Sequence, residues 1–435
     1  MTDALPVRLY DTNIGTLERT ARGGAVLRWS REAIDRWGEN SRVLSAGLRV
    51  GVDDEQASEA FFGGLLPEGE HIARLAREVK VDRGDVVGLL AEVGADLAGA
   101  LRVGHLEAQQ RDPEKLDPEK LDIDTVGALL DRASGFLIGG GGSALPGFQR
   151  KLTLTRRDGS WWRGNGVIPS THILKPVAAE YAASVESENY TLQVARRAGL
   201  LAFETWTETM AGHPVLVVER YDRIADGDTV RRIHQEDAAQ ALRLPWGGND
   251  KFEQNNLSAT LRGIAGLLDI GRTVFETPYA DRLRLARYAA FTVAVGNTDA
   301  HAKNFSLLHD ERGRVTLAPI YDAAPLALAY DATDALALRI NGVTRLPDVT
   351  ADDLVAEATS WGVPGGEART AIDETLAAIV EATREVHAHP AIEAHVPGYI
   401  RGQAENLLAG RPARISSTIP LSLRERIGSP QDRGA

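Results

Sequence analysis

The segment from Gly296 to Asn304 places several chemically active side chains on one short stretch of chain. It carries the carboxylate of Asp299, the imidazole of His301, the ammonium of Lys303 and the amide of Asn304. The apolar residues before it have the spacing of a buried helix: Leu285, Ala289, Phe291, Val293 and Val295. The pattern predicts a helix that ends in a polar loop able to accept a proton and bind a cation. A solvated turn capped by Asn and Asp is the alternative interpretation.

A hairpin is predicted directly after this loop. Residues 305–308 and 315–320 have the apolar or alternating pattern that is typical of β-strands. The polar run 309–314 between them contains a glycine, as a turn often does. The second strand leads into Tyr321 and Asp322. The hairpin would therefore tether a second carboxylate close to the first.

The spacing of these groups is typical of phosphoryl transfer. Asp299 and Asn304 are five residues apart, the offset between the proton-accepting Asp and the metal-binding Asn of the protein-kinase catalytic loop. Asp322 stands where a kinase has its second metal-binding Asp. Mg²⁺ prefers such oxygen ligands, and a triphosphate needs its charge neutralised as the transition state forms.

A nucleotide site also needs a cation for the phosphates. Lys175 is the candidate, because it ends the apolar, strand-like run 167–175 and precedes a proline. Taken alone, an ordinary solvated lysine is the simpler interpretation. The glycines 139–142 precede a predicted strand at 152–155, and backbone amides of such a loop could bind phosphate. This run matches neither the Walker nor the kinase glycine pattern, so a flexible linker is the alternative.

The apolar strand 215–218 ends in Glu219, Arg220 and Tyr221, which are predicted to form a hinge that pairs with adenine. A local ion pair between Glu219 and Arg223 is the alternative. The order along the chain favours the hinge, because glycine loop, lysine, hinge, catalytic loop and metal-binding Asp follow one another as a kinase requires.

With these residues in place, the chain resembles the HipA-type serine/threonine kinases, the toxins of bacterial toxin–antitoxin pairs. The resemblance covers nearly the whole chain, and the segments that carry it are 60–70, 93–101, 146–151, 171–175, 219–223, 233–237, 297–304 and 319–322. The segment 297–304 is similar to the family's catalytic loop almost letter for letter. Taken jointly, these motifs are highly specific.

The resemblance implies ATP and Mg²⁺ as cofactors and assigns roles to individual residues. Asp299 would accept the proton, Asn304 and Asp322 would hold magnesium, and Lys175 would bind the phosphates. The other expected nucleotide contacts are Pro146, Gly147, Phe148, Gln149, Arg150, Lys151, Glu219, Arg220, Tyr221, His301, Ala302, Lys303 and Tyr321. Either Glu186 or Glu188, at the start of a helix predicted over 187–198, would pair with Lys175.

The resemblance also implies partners and a target. These kinases are typically held by a helix-turn-helix antitoxin on operator DNA, and their known targets are aminoacyl-tRNA synthetases. A net charge of −12 argues against autonomous binding to the phosphate backbone, so contact with DNA is expected through the antitoxin. A small-molecule phosphotransferase and a non-catalytic co-repressor partner of the antitoxin are the alternative functions.

The composition limits the possible fold classes and cellular locations. The 435 residues, 43% of them hydrophobic, suffice for several packed units. The absence of cysteine and of a membrane-spanning apolar run predicts a cytoplasmic protein with no membrane association. The expected class is α+β: a protein-kinase-like, two-lobed fold with an N-terminal α/β subdomain and a mainly helical C-lobe. The expected parts are an N-terminal subdomain (1–105), a linker with helix and Gly-rich loop (106–145), the kinase N-lobe (146–234), the C-lobe (235–420) and a disordered tail (421–435).

A prediction of self-inactivation follows from the family. Members can phosphorylate a serine shortly before the segment that corresponds to 146–151, which ejects the loop and silences the kinase. In this chain Ala144 occupies the usual place and Ser143 lies one residue earlier. We expect phosphopeptide mapping after incubation with ATP to find phosphate on Ser143. A peptide that stays unmodified would show that this chain lacks the switch.

Overall fold

Alternating apolar residues near the N-terminus form a four-stranded antiparallel sheet with the strand order β3-β2-β1-β4. In β1, Leu5, Val7 and Leu9 are buried while the residues between them are partly exposed. Four helices cover the apolar face and share its core. The strands are β1 (Ala4–Leu9), β2 (Thr12–Arg19), β3 (Ala25–Trp29) and β4 (Leu101–Val103), and the helices are α1 (Arg31–Trp37), α2 (Glu55–Gly64), α3 (Gly69–Val79) and α4 (Val86–Val93).

A second, six-stranded sheet follows, with the order β5-β7-β6-β8-β10-β9. Its strands are β5 (Glu119–Leu121), β6 (Leu152–Arg157), β7 (Ser160–Arg163), β8 (His172–Pro176), β9 (Thr205–Met210) and β10 (His213–Glu219). The helices α5 (Ile123–Asp131) and α6 (Ala182–Arg197) occur in the same part of the chain. Strands β8 and β10 pair antiparallel, with Lys175 opposite Leu216 and His172 opposite Glu219.

The rest of the chain is mainly helical. Its strands are β11 (Arg223–Asp226), β12 (Thr229–Arg232), β13 (His234–Asp237), β14 (Ser306–His309), β15 (Val315–Leu317), β16 (Ala335–Ile340) and β17 (Val343–Arg345). Its helices are α7 (Ala238–Ala241), α8 (Leu261–Leu267), α9 (Ala280–Val295), α10 (Ala351–Ser360), α11 (Gly365–Glu385) and α12 (Val396–Leu408). Helix α9 packs against α10, α11 and α12, which buries its apolar residues.

The computed structural model describes residues 4–104, 119–131, 151–163, 168–226, 229–270, 279–329 and 332–414. The chain forms two compact units. Unit 1 comprises Met1–Pro176, Thr209–Gly248 and Leu307–Val315, and unit 2 comprises Val177–Glu208, Asn249–Ser306 and Thr316–Ala435. The chain therefore leaves unit 2 after Ser306, makes the turn of the β14–β15 hairpin in unit 1, and returns to unit 2 before Asp322.

The fold class predicted from the sequence is confirmed, and most predicted elements are present, but several differ in extent. The strand expected over 167–175 begins only at His172. Pro169 has no N–H to pair, and its carbonyl instead accepts a hydrogen bond from Thr155 Oγ1 at 3.0 Å. Similarly, β15 ends at Leu317, two residues before Pro319, so Tyr321 and Asp322 lie outside the strand. The hairpin β16–β17 was not anticipated.

In the described part of the chain, no helix combines the length and the apolar character needed to cross a membrane.

A buried histidine gives the fold a testable dependence on acid. His234 is fully buried, and its ring lies between the Ala100 amide, 3.4 Å from Nδ1, and the Leu44 carbonyl, 2.6 Å from Nε2. Burial, together with the nearby His309, lowers the pKa of His234 to about 3. In the unfolded chain the pKa of a histidine is near 6.5. Between pH 3 and about 6.5, His234 is therefore protonated in the unfolded chain but neutral in the folded protein.

Above a pH of about 6.5, protonation of His234 should not affect the free energy of unfolding. As the pH drops from there toward 3, this residue should lower the free energy of unfolding by up to about 1.4 kcal/mol per pH unit. We expect His234→Gln to flatten that slope in urea unfolding measured between pH 7 and 4. The exposed His387→Gln is the matched control and should leave the slope unchanged. Equal slopes for parent and His234→Gln would refute this assignment.

Candidate active site

The position of the catalytic-loop candidate is set by the end of α9. Gly296 terminates the helix in a left-handed conformation with φ of 76°, and its N–H bonds back to the Thr292 and Val293 carbonyls. A side chain is also excluded sterically, because a Cβ on Gly296 would lie 2.6 Å from the hydroxyl oxygen of Tyr399. The helix therefore ends at this residue, and the polar run begins immediately after it.

Backbone hydrogen bonds within unit 2 hold the loop that follows. The Gly296 carbonyl accepts from Ala327 N at 2.9 Å, the Thr298 carbonyl from Ala337 N at 3.1 Å, and Ala302 N donates to the Lys251 carbonyl at 3.1 Å. The Asp299 side chain is 54% exposed. The loop is thus fixed by its backbone while its central carboxylate is open to a substrate.

His301 is a titratable neighbour of that carboxylate within the loop. Its Nε2 lies 4.0 Å from Asp299 Oδ2. The ring packs edge-on against Phe252, with 5.1 Å between centroids, and is buried. The imidazole therefore has a fixed position beside the carboxylate.

The metal-ligand candidates lie in direct contact. Asn304 ends a short 3-10 turn, and its Oδ1 accepts from His301 N at 3.2 Å. Its Nδ2 lies 3.4 Å from Asp322 Oδ2. Asp322 itself adopts φ of 53°, a left-handed backbone that non-glycine residues seldom occupy and that is frequent at functional sites. The structure therefore brings together two residues that are far apart on the hairpin.

Tyr321, next to Asp322, connects the end of the hairpin to the segment that contains Asn304. Its hydroxyl donates to the Lys303 carbonyl at 2.5 Å and shares a 2.7 Å hydrogen bond with Ser306 Oγ. Asp299, His301, Ala302, Lys303, Asn304, Tyr321 and Asp322, all proposed from the sequence, thus belong to one local arrangement in unit 2.

The expected nucleotide residues of unit 1 occur in and around the six-stranded sheet. Lys175 lies in β8 and is buried, and Lys151 directly precedes β6. The segment Pro146, Gly147, Phe148, Gln149 and Arg150 lies outside the described residues, as does Ser143. On α6 in unit 2, Glu188 is buried, whereas Glu186 is only partly buried and accepts a 3.2 Å hydrogen bond from Thr207.

The hinge candidate is backed by a group of buried charges that the sequence analysis did not foresee. We call the side chains of Asp96, Ser170, Arg220, Asp222, Arg223 and Arg232 the hinge cluster. Arg220 donates to both carboxylate oxygens of Asp222, at 2.9 and 2.8 Å, and to Ser170 Oγ at 2.9 Å. Arg223 bonds to Asp222 at 2.9 Å and to Asp96 at 3.1 Å.

The contacts of this cluster replace one interpretation of the segment and limit another. Arg223 pairs with Asp96 and Asp222, which replaces the alternative of an ion pair with Glu219. The Arg220 side chain is occupied within the cluster and only 1% exposed, so it is not available to a nucleotide. Its backbone N–H donates to the Thr171 carbonyl at 2.9 Å. Adenine contacts from this segment would therefore come from Glu219 and Tyr221.

Electrostatics explain why the cluster stays charged. Burial disfavours the Asp222 carboxylate, but the guanidinium groups of Arg220 and Arg223 outweigh this effect and lower the pKa of Asp222. Asp96 behaves in the same way, with Arg220, Arg223 and Arg232 lowering its pKa against the effect of burial. Each ion is stabilised by its neighbours, and loss of a single partner would leave a buried charge uncompensated.

Sequence reasoning also missed Lys251 and Phe252. Both border the catalytic loop through the Ala302–Lys251 backbone bond and the ring contact with His301. The Lys251 ammonium lies 5.6 Å from the Phe252 ring centroid, and Lys251 is buried. A lysine next to an aromatic residue within the polar, glycine-containing run 247–252 was the available signal.

Comparison with a solved structure defines the class of this fold as kinase-like. The architecture is similar to that of HipA in the solved complex of Shewanella oneidensis MR-1 HipA, HipB and operator DNA. The TM-score is 0.77 with 22% sequence identity, over 93% of this chain and 96% of that one.

Sequence comparison identifies the family. Residues 5–104 match the HipA N-terminal domain, and residues 143–383 match the HipA-like C-terminal domain. A Sinorhizobium fredii protein named "Putative kinase Y4mE" is 32% identical over 90% of this chain and 95% of its own length. The serine/threonine-protein kinase toxin HipA of Shewanella oneidensis is 25% identical over 83% of this chain and 84% of its own. This chain belongs to the HipA family.

The tyrosine that links the loop to the metal-ligand candidates gives a direct test of this geometry. Tyr321→Phe removes the hydroxyl that joins Lys303 and Ser306, and should lower the free energy of unfolding by about 1 kcal/mol. It should also accelerate amide hydrogen exchange at 302–304. Tyr190→Phe is the control, because it deletes a buried hydroxyl bonded elsewhere in unit 2, to the Thr383 carbonyl. Unchanged exchange at 302–304 in Tyr321→Phe would show that the hydroxyl does not hold the loop.

Proposed function

We propose that this protein is an ATP- and Mg²⁺-dependent kinase that phosphorylates serine or threonine, acting as the toxin of a toxin–antitoxin pair. The single observation that carries the proposal is the contact between Asn304 and Asp322 beside the half-exposed Asp299. Membership of the HipA family and relatives that bear the name kinase support the same activity.

Asp299 is the proton acceptor in this proposal. The hydroxyl oxygen of the substrate forms a bond to the γ-phosphorus, the bond from that phosphorus to the β–γ bridging oxygen breaks, and ADP leaves. Asp299 takes the hydroxyl proton as the new bond forms. Its exposure suits a group that must reach a protein side chain, and the His301 ring lies 4.0 Å away.

The residues around Asn304 fit a small divalent cation. Asn304 and Asp322 carry amide and carboxylate oxygens, the donor types that Mg²⁺ prefers. Their side chains are in contact through Asn304 Nδ2, which lies 3.4 Å from Asp322 Oδ2. When bound, Mg²⁺ would neutralise charge on the β- and γ-phosphates. The chain's own contribution is to hold both ligands in place through the bonds of Tyr321 to Lys303 and Ser306.

Lys175 would bind the phosphates, and Glu219 and Tyr221 the adenine. The segment 146–151 would cover the nucleotide, and 301–303 would line the phosphate end. Glu188 is favoured over Glu186 as the acid that pairs with Lys175, because it is the more buried of the two and Glu186 is bonded to Thr207.

The partners and the target are proposed by similarity. The solved HipA is in complex with HipB and operator DNA, so we propose that a helix-turn-helix antitoxin of the HipB type holds this chain and links it to DNA. The net charge of −12 supports contact with DNA through such a partner. An aminoacyl-tRNA synthetase is the proposed protein substrate, whose phosphorylation would arrest translation.

The role of Asp299 is tested by a substitution that keeps its shape. Asp299→Asn removes the proton acceptor and should reduce phosphate transfer from labelled ATP by about 10²- to 10⁴-fold. Nucleotide affinity should stay within about twofold, because binding does not use the carboxylate's basicity. The measurement is the initial rate of γ-phosphate transfer to protein, with equilibrium binding of ATP as a second readout.

Asp373→Asn is the matched control, since it makes the same change on α11 at a carboxylate that is 43% exposed, and it should transfer phosphate at the parent rate. Transfer by Asp299→Asn at the parent rate would contradict the assigned role. Labelling of small molecules but of no protein would instead indicate a small-molecule phosphotransferase. The absence of any transfer by the parent protein with Mg²⁺ would indicate a non-catalytic partner.

A further inference from the structure

We propose that Asp96 is a positioning residue through which the N-terminal domain sets the affinity of the hinge for nucleotide. Asp96 lies on the loop between α4 and β4, within the segment that matches the HipA N-terminal domain. The inference rests on the proposed function, because it assumes that Glu219 and Tyr221 bind adenine. All of the residues that carry it belong to unit 1.

The loop of the N-terminal domain holds the hinge through its backbone. The Leu97 carbonyl accepts from Nη2 of Arg220 at 2.9 Å and from Nη2 of Arg223 at 2.8 Å. The Gly99 carbonyl accepts from Arg223 Nη1 at 2.9 Å, and the Gly99 amide donates to Asp222 Oδ2 at 2.8 Å. The loop that carries Asp96 thus contributes four hydrogen bonds to the side chains of the hinge cluster.

The loop approaches Gln235 so closely at Gly99 that a side chain does not fit there. Gly99 adopts φ of 74°, and a Cβ there would lie 2.7 Å from the backbone nitrogen of Gln235. Strand β13, which contains Gln235, therefore packs directly on the loop.

Asp96 connects the same loop to the neighbouring strand. One carboxylate oxygen accepts from the Ser170 backbone N–H at 3.1 Å, and the other lies 3.1 Å from Arg223 Nη2. Ser170 is followed by Thr171, whose carbonyl accepts the Arg220 N–H at 2.9 Å. The carboxylate of Asp96 therefore contacts the chain on both sides of the hinge backbone.

The side chains on either side of Tyr221 are locked inward. Arg220 and Asp222 have only 1% and 3% of their side chains exposed, while Tyr221 is partly exposed. Because both neighbours of Tyr221 are fixed by hydrogen bonds, the backbone between Glu219 and Tyr221 has little freedom. A ligand that pairs with this backbone would meet it in its bound conformation, which saves the entropy of ordering it.

Charge makes the arrangement sensitive to Asp96 in particular. Three guanidinium groups, from Arg220, Arg223 and Arg232, face only two carboxylates in the hinge cluster. Arg232 Nη2 lies 4.0 Å from Asp96, and its Nε and Nη2 have no hydrogen-bond partner among the described residues. Burial lowers the pKa of Arg232 to about 9 although Asp96 opposes the shift. Loss of the Asp96 charge would leave three buried cations facing one anion, and the hinge would have to move to relieve them.

The experiment is equilibrium binding of ATP to the full chain, measured by calorimetry beside the kinetics of phosphate transfer. Asp96→Asn should weaken ATP binding about tenfold, equivalent to about 1.4 kcal/mol. Its rate at saturating ATP should stay within about twofold of the parent, because Asp299, Asn304 and Asp322 are untouched. A purely structural role would instead lower the active fraction and leave the affinity of the folded molecules unchanged.

Two further variants separate positioning from general instability. Leu17→Ala creates a cavity at a fully buried position in the core of the N-terminal sheet, away from the hinge cluster, and should reduce the melting temperature without changing ATP affinity. Adding Arg232→Gln to Asp96→Asn returns the cluster to one excess positive charge, and should recover at least part of the lost affinity. Ser170→Ala, which removes only the Arg220 bond to Ser170, should weaken ATP binding in the same direction by about two- to threefold.

Unchanged ATP affinity in both Asp96→Asn and Ser170→Ala would overturn the inference, as would an equal loss of affinity in Leu17→Ala. Should Asp96→Asn fail to fold, the affinity of Ser170→Ala decides the outcome. These results differ from failure of the proposed function itself. If the parent protein binds no ATP, the proposed function falls and the inference with it; if the parent binds ATP and the variants bind equally well, only the inference falls.

Discussion

The end of α9 at Gly296 is the constraint on which the rest of the candidate site depends. The helix is buried from Leu285 to Val295 except at two positions and cannot shift without exposing its core, and its last turn is closed by a residue with φ of 76°. Tyr399 occupies the space that a side chain on Gly296 would need. Helix packing thereby determines where the polar loop starts, and the backbone bonds of Thr298 and Ala302 determine its course. The loop that carries the exposed Asp299 carboxylate therefore has a rigid support.

The second constraint is covalent. Asn304 and Asp322 are neighbours in space because the β14–β15 hairpin folds the chain back on itself between them. Tyr321 then joins the returning chain to Lys303 and Ser306. The hydrogen bonds of Tyr321 close the open end of the hairpin and hold the two candidate ligands together. Both ligands have short side chains, so the backbone determines their positions.

Local patterns predicted this part of the molecule well, and long-range contacts explain what they missed. The helical spacing from Leu285 to Val295 and the offset of Asp299 from Asn304 are both short-range signals, and the structure places these residues as expected. The hinge cluster could not be foreseen, because Asp96 and Arg223 are 127 residues apart and only the folded chain brings them together. The late start of β8 reflects a single residue, Pro169, whose effect was visible in the sequence but was outweighed by the apolar run around it.

We propose that Asp299 works with Asn304 and Asp322 to transfer phosphate to serine or threonine of a protein. Phosphoproteomics of cells that produce the parent protein, compared with cells that produce Asp299→Ala at the same level, tests it most directly. The account predicts one or a few serine or threonine sites, among them a site on an aminoacyl-tRNA synthetase, that are occupied with the parent and empty with the variant. The same occupied sites in both cultures would contradict it.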